Sequence, residues 1–196
     1  AQTPLDAILM QPGEVCSALT YEYSSFDEYW EGTTLRTNET VNVVNRDYAE
    51  FMTAIGLVRH HNLMIGLPFV SSYSTDPTGG RLDGVSGISD LSLFLKSEWL
   101  YKPVGKGNLS ALTTLGFMTP VSNYNADYRP YSIGFGAPEL SLRGILEYEF
   151  DFGLYVRGSG AYLWRGQTEV DRDSYYQDGQ IYYTNMMDVP SAWHYQ

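Results

Sequence analysis

Gly87-Ile88-Ser89-Asp90-Leu91-Ser92-Leu93-Phe94-Leu95-Lys96-Ser97-Glu98-Trp99 alternates in character from one residue to the next over most of its length. Leu91, Leu93, Leu95 and Trp99 share one parity, and Asp90, Ser92, Lys96 and Glu98 share the other, which is the period of a β-strand. One face is greasy and the other carries charge. The apolar face ends in Trp99, followed by Tyr101 and Lys102, residues that suit an interface between apolar and aqueous phases. A short polar turn, Gly105-Lys106-Gly107-Asn108, leads into a second alternating run. The expected element is a strand of a transmembrane β-barrel, with lipid outside and water or packed polar groups inside.

Composition agrees. The 196 residues suffice for one domain. Aromatics make up 15% of the chain, 17 of them Tyr, a ring suited to sites with one dry end and one wet end. No run of about 18 apolar residues occurs, which excludes a helical membrane span and leaves a barrel open, since lumen and loop residues dilute a barrel's hydropathy. A formal charge of -11 argues against nucleic acid, which needs a basic face. Cys16 is the single cysteine, so no intrachain disulfide can form, and it reads as an ordinary strand residue. The start Ala1-Gln2-Thr3 resembles an end left by signal cleavage, and the expected location is the bacterial outer membrane.

Outward from the opening stretch, residues 1–13 read as a lead-in. Pro4 to Met10 has room for a helical turn or two before Pro12-Gly13, and the segment is expected against the barrel or within its lumen. Residues 14–196 read as the barrel. Alternation predicts strands near 15–25, 48–58, 63–70, 88–100, 109–118, 139–150 and 154–165, with 189–196 opening an eighth. Pro68 is expected near a rim or where pairing loosens. The connections run long, short, long, short, as in outer-membrane barrels with long exterior loops and tight periplasmic turns. Acids gather in the long loops (Asp27, Glu28, Glu31, Asp76, Asp83, Glu169, Asp171, Asp173, Asp178), while Arg59, Lys102 and Lys106 lie in short turns.

The hairpin Ile55-Gly56-Leu57-Val58 to Leu63-Met64-Ile65-Gly66-Leu67-Pro68-Phe69-Val70, with Gly87-Ile88-Ser89-Asp90-Leu91 running on to Leu95-Lys96, resembles outer-membrane barrel transporters of the phenol-degradation meta-pathway type. The resemblance covers roughly Glu14 onward and implies a transport barrel without catalytic residues. Family barrels look longer, and this sequence stops a few residues into the eighth strand. Either the barrel closes with eight strands or the sequence is the front part of a larger one; the second is the expectation.

The charged parity supplies the candidate site. Glu50, Lys96, Glu98, Arg143, Glu147, Glu149, Arg157 and Arg165 are expected to line the lumen, either selecting solutes in an open pore or forming ion pairs that fill a narrow one. Tyr21, Tyr23, Trp99, Tyr101, Tyr148, Tyr162 and Trp164 are expected to form the aromatic girdles. His60, His61 and His194 belong to no visible Ser-His-acid constellation, so no enzyme is expected. The Asp-rich loops match no Ca²⁺ spacing, Gly158-Ser159-Gly160 lacks the rest of a dinucleotide fingerprint, and no metal or cofactor is expected. The expected function is a passive channel for small solutes, hydrophobic or aromatic ones included; the alternative is a plugged accessory barrel packed against another envelope protein. The expected partners are membrane lipid, lipopolysaccharide and solutes.

Overall fold

The computed structural model describes residues 2–31, 34–38, 42–75, 84–177 and 179–196. Asp76, Asp83 and Asp178 lie outside the described residues. The elements in chain order are β1 (Val15–Phe26), β2 (Glu28–Glu31), β3 (Thr34–Thr37), β4 (Val44–Val58), β5 (His61–Ser74), β6 (Val85–Ile88), β7 (Asp90–Pro103), β8 (Gly107–Pro120), β9 (Glu139–Phe150), β10 (Tyr155–Arg165), β11 (Gln167–Glu169), β12 (Tyr175–Gln177), β13 (Gln180–Tyr182), β14 (Met186–Asp188) and β15 (Ala192–Tyr195). All ladders are antiparallel, and no helix occurs among the described residues. The main sheet is a meander ordered β1-β4-β5-β7-β8-β9-β10-β15, with β6 beside β5, and β1 and β15 at its open ends. Three ribbons, β2-β3, β11-β14 and β12-β13, stand on the long connections.

The sheet presents two unlike faces, most clearly in two adjacent rows. Val15, Ile55, Leu63, Leu95, Leu115, Leu142, Tyr162 and Trp193 pair one to the next across all eight strands. This row is apolar throughout, and its members Leu115 and Leu142 are 46% and 47% exposed. One residue away, on the other face, run Gly56, Asn62, Lys96, Thr114, Arg143, Ala161 and His194. Asn62, Lys96, Thr114 and Arg143 in that row are buried. A sheet folded in water buries its apolar face and exposes its polar one. Here the burial is inverted.

The rows also climb. The apolar row begins at the first residue of β1, at the short-turn end, and crosses β9 at Leu142, near its long-loop end. Such stagger accompanies strands that tilt, as a curling sheet requires.

Details of the ladder follow from individual residues. Pro68 lacks an N–H, and it sits where β5 passes from β7 to β6: Gly66 pairs with Ser92, Phe69 pairs with Ile88, and between them the Ser89 amide donates to the Pro68 carbonyl at 3.0 Å. The two-residue turn Arg59-His60 places His60 at φ 68°, in the left-handed region. A bulge between Glu98 and Leu100 leaves Trp99 as the extra residue. Its consequence is a change of parity, since Tyr101 pairs with the buried Ser110 and so takes the parity of the polar face.

Three expectations need correction. The lead-in makes a turn at residues 4–6 and no helix, because its carbonyls are held by Lys96 rather than by its own amides. β4 starts at Val44 and β5 runs to Ser74, so this hairpin is longer at its long-loop end than alternation alone indicates. Residues 27–47 and 166–188, expected as plain loops, carry the ribbons.

Candidate functional site: the covered polar face

Two segments without regular structure lie over the polar face. Residues 2–12 cover the half near the short turns. Asn62 Oδ1 accepts from Gln2 Nε2 at 3.0 Å and from the Met10 amide at 2.7 Å, Thr114 Oγ1 donates to the Pro4 carbonyl at 3.1 Å, and Gly13 N donates to the Gly56 carbonyl at 2.8 Å. The tie that organises them is Lys96, which is 0% exposed. Its ammonium donates to the Thr3 carbonyl (2.5 Å), the Asp6 carbonyl (2.8 Å) and Asp6 Oδ1 (2.7 Å), with the Ile8 carbonyl at 3.3 Å. A buried cation is tolerated only with such a set of acceptors.

Gly56 makes room for the segment. A Cβ there would stand 2.0 Å from the Gln11 carbonyl oxygen, so any side chain displaces the backbone crossing it.

Burial pushes the Asp6 carboxyl up, but the Lys96 ammonium and the amides of Ile8 and Thr3 outweigh it, and the group lies below its ordinary value of 3.8. A carboxylate lowered on docking stabilises the docked state above the free pKa and loses that contribution as pH falls through the docked one. Amide-exchange protection of residues 2–12 is therefore expected to hold steady from pH 7 to about 5 and to fall only below the ordinary aspartate range. Loss of protection already near pH 6 would contradict this assignment.

Residues 121–138, between β8 and β9, cover the other half. Ser89 Oγ donates to the Ile133 carbonyl at 2.7 Å, Arg46 Nη2 donates to the same carbonyl at 3.2 Å, and Tyr124 OH donates to Asp90 Oδ1. Tyr131 and Val44, both fully buried, form the core of this half, with Phe26, Val85 and Tyr128 packed around them. The bond to Asp90 and burial raise the Tyr124 hydroxyl's pKa, burial being the larger cause.

The structure puts all eight charged candidates on the polar parity. Lys96 pairs with Asp6, Arg157 Nη2 with Glu147 (2.6 Å), and Arg165 Nε with Glu139 (2.7 Å). Arg143 donates to Ser159 Oγ at 3.0 Å and to His194 Nδ1 at 2.7 Å, which fixes that nitrogen as an acceptor. Glu98 accepts from His60 Nδ1 at 2.7 Å, and Glu50 accepts from the Tyr48 hydroxyl. Glu149 lies past the covering segments and is exposed. Charges are thus answered locally, and they do not converge on one point. His61 bonds Ser97 at 2.8 Å on the opposite face, apart from His60. Among the described residues no group of three or more His, Cys, Asp or Glu could hold a metal.

Of the aromatic candidates, Tyr21 and Tyr23 stand on the bare face toward the long-loop end, their hydroxyls bonded to Asp47 and Asn45. Tyr162 and Trp164 lie at the same end of β10, in edge contact at 4.8 Å. Trp99 and Tyr148 lie toward the short turns, where Trp99 Nε1 donates to Thr113 and Tyr148 OH to the Val104 carbonyl, each at 2.7 Å. Tyr101 leaves this set, for the bulge turns it to the other parity. Sequence reasoning missed Asp6, Gln2 and Gly56. The close Gly56 in an otherwise apolar alternating run was the only available signal for a crossing backbone.

No protein-family model, no curated protein and no solved structure matches this chain.

Proposed function

We propose that this chain forms the wall of a β-barrel in the bacterial outer membrane, with the bare apolar face against lipid, and that residues 2–12 plug a lumen which passes small solutes only when they move. The observation that carries the reading is the inverted burial of the two adjacent rows: Val15, Leu95, Leu115, Leu142 and Trp193 of the apolar row are exposed, while Asn62, Lys96, Thr114 and Arg143 of the polar row are buried. In water a bare apolar surface of that extent is unfavourable at roughly 25 cal/mol per Å². Against lipid it costs nothing, and the polar face becomes the inner one. Aromatic rings near both strand ends of the bare face fit the two headgroup levels. The long acidic connections then face the exterior, where divalent cations can bridge them to lipopolysaccharide.

An accessory role, with the plug permanently seated, is the second reading, and the cover of residues 121–138 over the other half of the polar face favours it. Single-channel recording separates the two. Native protein is expected to show little or no conductance in planar bilayers, and Gly56→Val, which forces the Gln11 backbone away, is expected to open steps well above that background. Silence from a Gly56→Val protein that still assembles would leave the accessory reading in place of the gated channel.

A further inference from the structure

A cavity of about 540 Å³ lies between residues 126–135 and the long-loop tips of both end strands, β1 and β15. Phe26, Trp30 and Phe135 contribute aromatic wall, and Arg46, Arg129 and Arg165 contribute charge. Among the described residues its lining includes no Asp or Glu, in a chain that has 23 acids against 12 Lys and Arg. That local reversal of sign is what singles the cavity out. Arg165 is held over the Phe135 ring, with its guanidinium carbon 4.7 Å from the centroid, and is anchored by Glu139 from outside the lining. Arg46 donates to a neutral acceptor, the Ile133 carbonyl. Arg129 is exposed.

From this we infer a binding site for a small amphipathic organic anion, a carboxylate on an apolar ring or chain, with the head toward Arg46 and Arg129 and the body against Phe26, Trp30 and Phe135. Guanidinium groups bind carboxylates through paired N–H donors, and a volume of this size lies in the range of small-molecule sites. The inference deepens the transport reading by giving a chemical class to the solute, but binding needs no conduction and is tested separately.

Purified full-length protein in lipid nanodiscs would be titrated while tryptophan fluorescence is followed, with Trp30→Phe identifying the reporting ring. The probes are benzoate against benzyl alcohol and hexanoate against hexan-1-ol, so that the arms tell ring from chain while charge is the only common difference within each pair. Saturable binding at least tenfold tighter for one or both carboxylates than for the matching alcohol is expected, weakened tenfold or more in Arg129→Gln and in Arg46→Gln. Arg129 is exposed, so its variant keeps the test valid if Arg46→Gln assembles poorly. Equal affinities for acid and alcohol, or carboxylate affinity unchanged in Arg129→Gln and in assembled Arg46→Gln, would overturn the site. A failure here alongside conduction by Gly56→Val would leave the channel reading standing.

Discussion

Leu142→Arg is expected to cut the yield of assembled protein severely, while Ser141→Arg leaves most of it intact. The two residues are neighbours in β9 and face opposite ways. Leu142 sits in the bare row between Leu115 and Tyr162, and in the proposed membrane setting an arginine there would face hydrocarbon at a cost of about 2 to 4 kcal/mol near the midplane, less toward the interfaces. Ser141 borders a cavity of about 280 Å³ on the polar face, lined also by Glu139, which already pairs with Arg165, and by Arg143, so the new side chain has room there. The sign of the difference is informative. A half-exposed leucine on a water-soluble sheet can become arginine within about 0.5 kcal/mol, whereas a buried-face serine would be the sensitive site. Heat-modifiability on gels gives the folded fraction of each variant. Equal yields, or a greater loss for Ser141→Arg, would mean that the bare face does not meet lipid.

Lys96→Met is expected to release the segment it holds. The substitution takes the buried cation from the Asp6 carboxylate, which keeps only the bonds from Thr3 and Ile8, and from the carbonyls of Thr3 and Asp6, and breaking one side of a buried pair costs about 3 to 5 kcal/mol. The sheet itself is held by backbone ladders that the change does not touch, so the loss should fall on docking of residues 2–12. Their amide exchange should rise by two or more orders of magnitude, and conductance steps should appear that native protein lacks. Adding Asp6→Leu to Lys96→Met should restore part of the protection, since removing both charges is far less costly than stranding one. Unchanged exchange in assembled Lys96→Met would show that the segment is held by its other contacts.

The strands were legible because each alternates over most of its length, as Leu140 to Phe150 does against Glu139 to Glu149. Legibility failed where both sides of a strand are wet or both are polar. β5 runs on through Ser71, Ser72 and Ser74, and the ribbons β2-β3 and β12-β13 bring no apolar period to read. The bulge at Trp99 was invisible because the residues on either side of it, Glu98 and Leu100, keep ordinary strand character, and only the pairing of Tyr101 with Ser110 exposes the flip. The charged parity of the site was readable, but its partners were not. Lys96 reaches Asp6 across 90 residues, and residues 121–138 are held largely through carbonyls and tyrosine hydroxyls, for which no local pattern exists.

Whether the bare face meets lipid can be read from spin labels placed singly at residues 111–117 of β8, with Cys16 replaced, in reconstituted bilayers. Ala111, Thr113, Leu115 and Phe117 share the bare parity, and Leu112, Thr114 and Gly116 the covered one. A period of two is expected, with labels at 111, 113, 115 and 117 colliding with dissolved oxygen and shielded from a water-soluble nickel chelate. High nickel accessibility at 113 and 115 would contradict it.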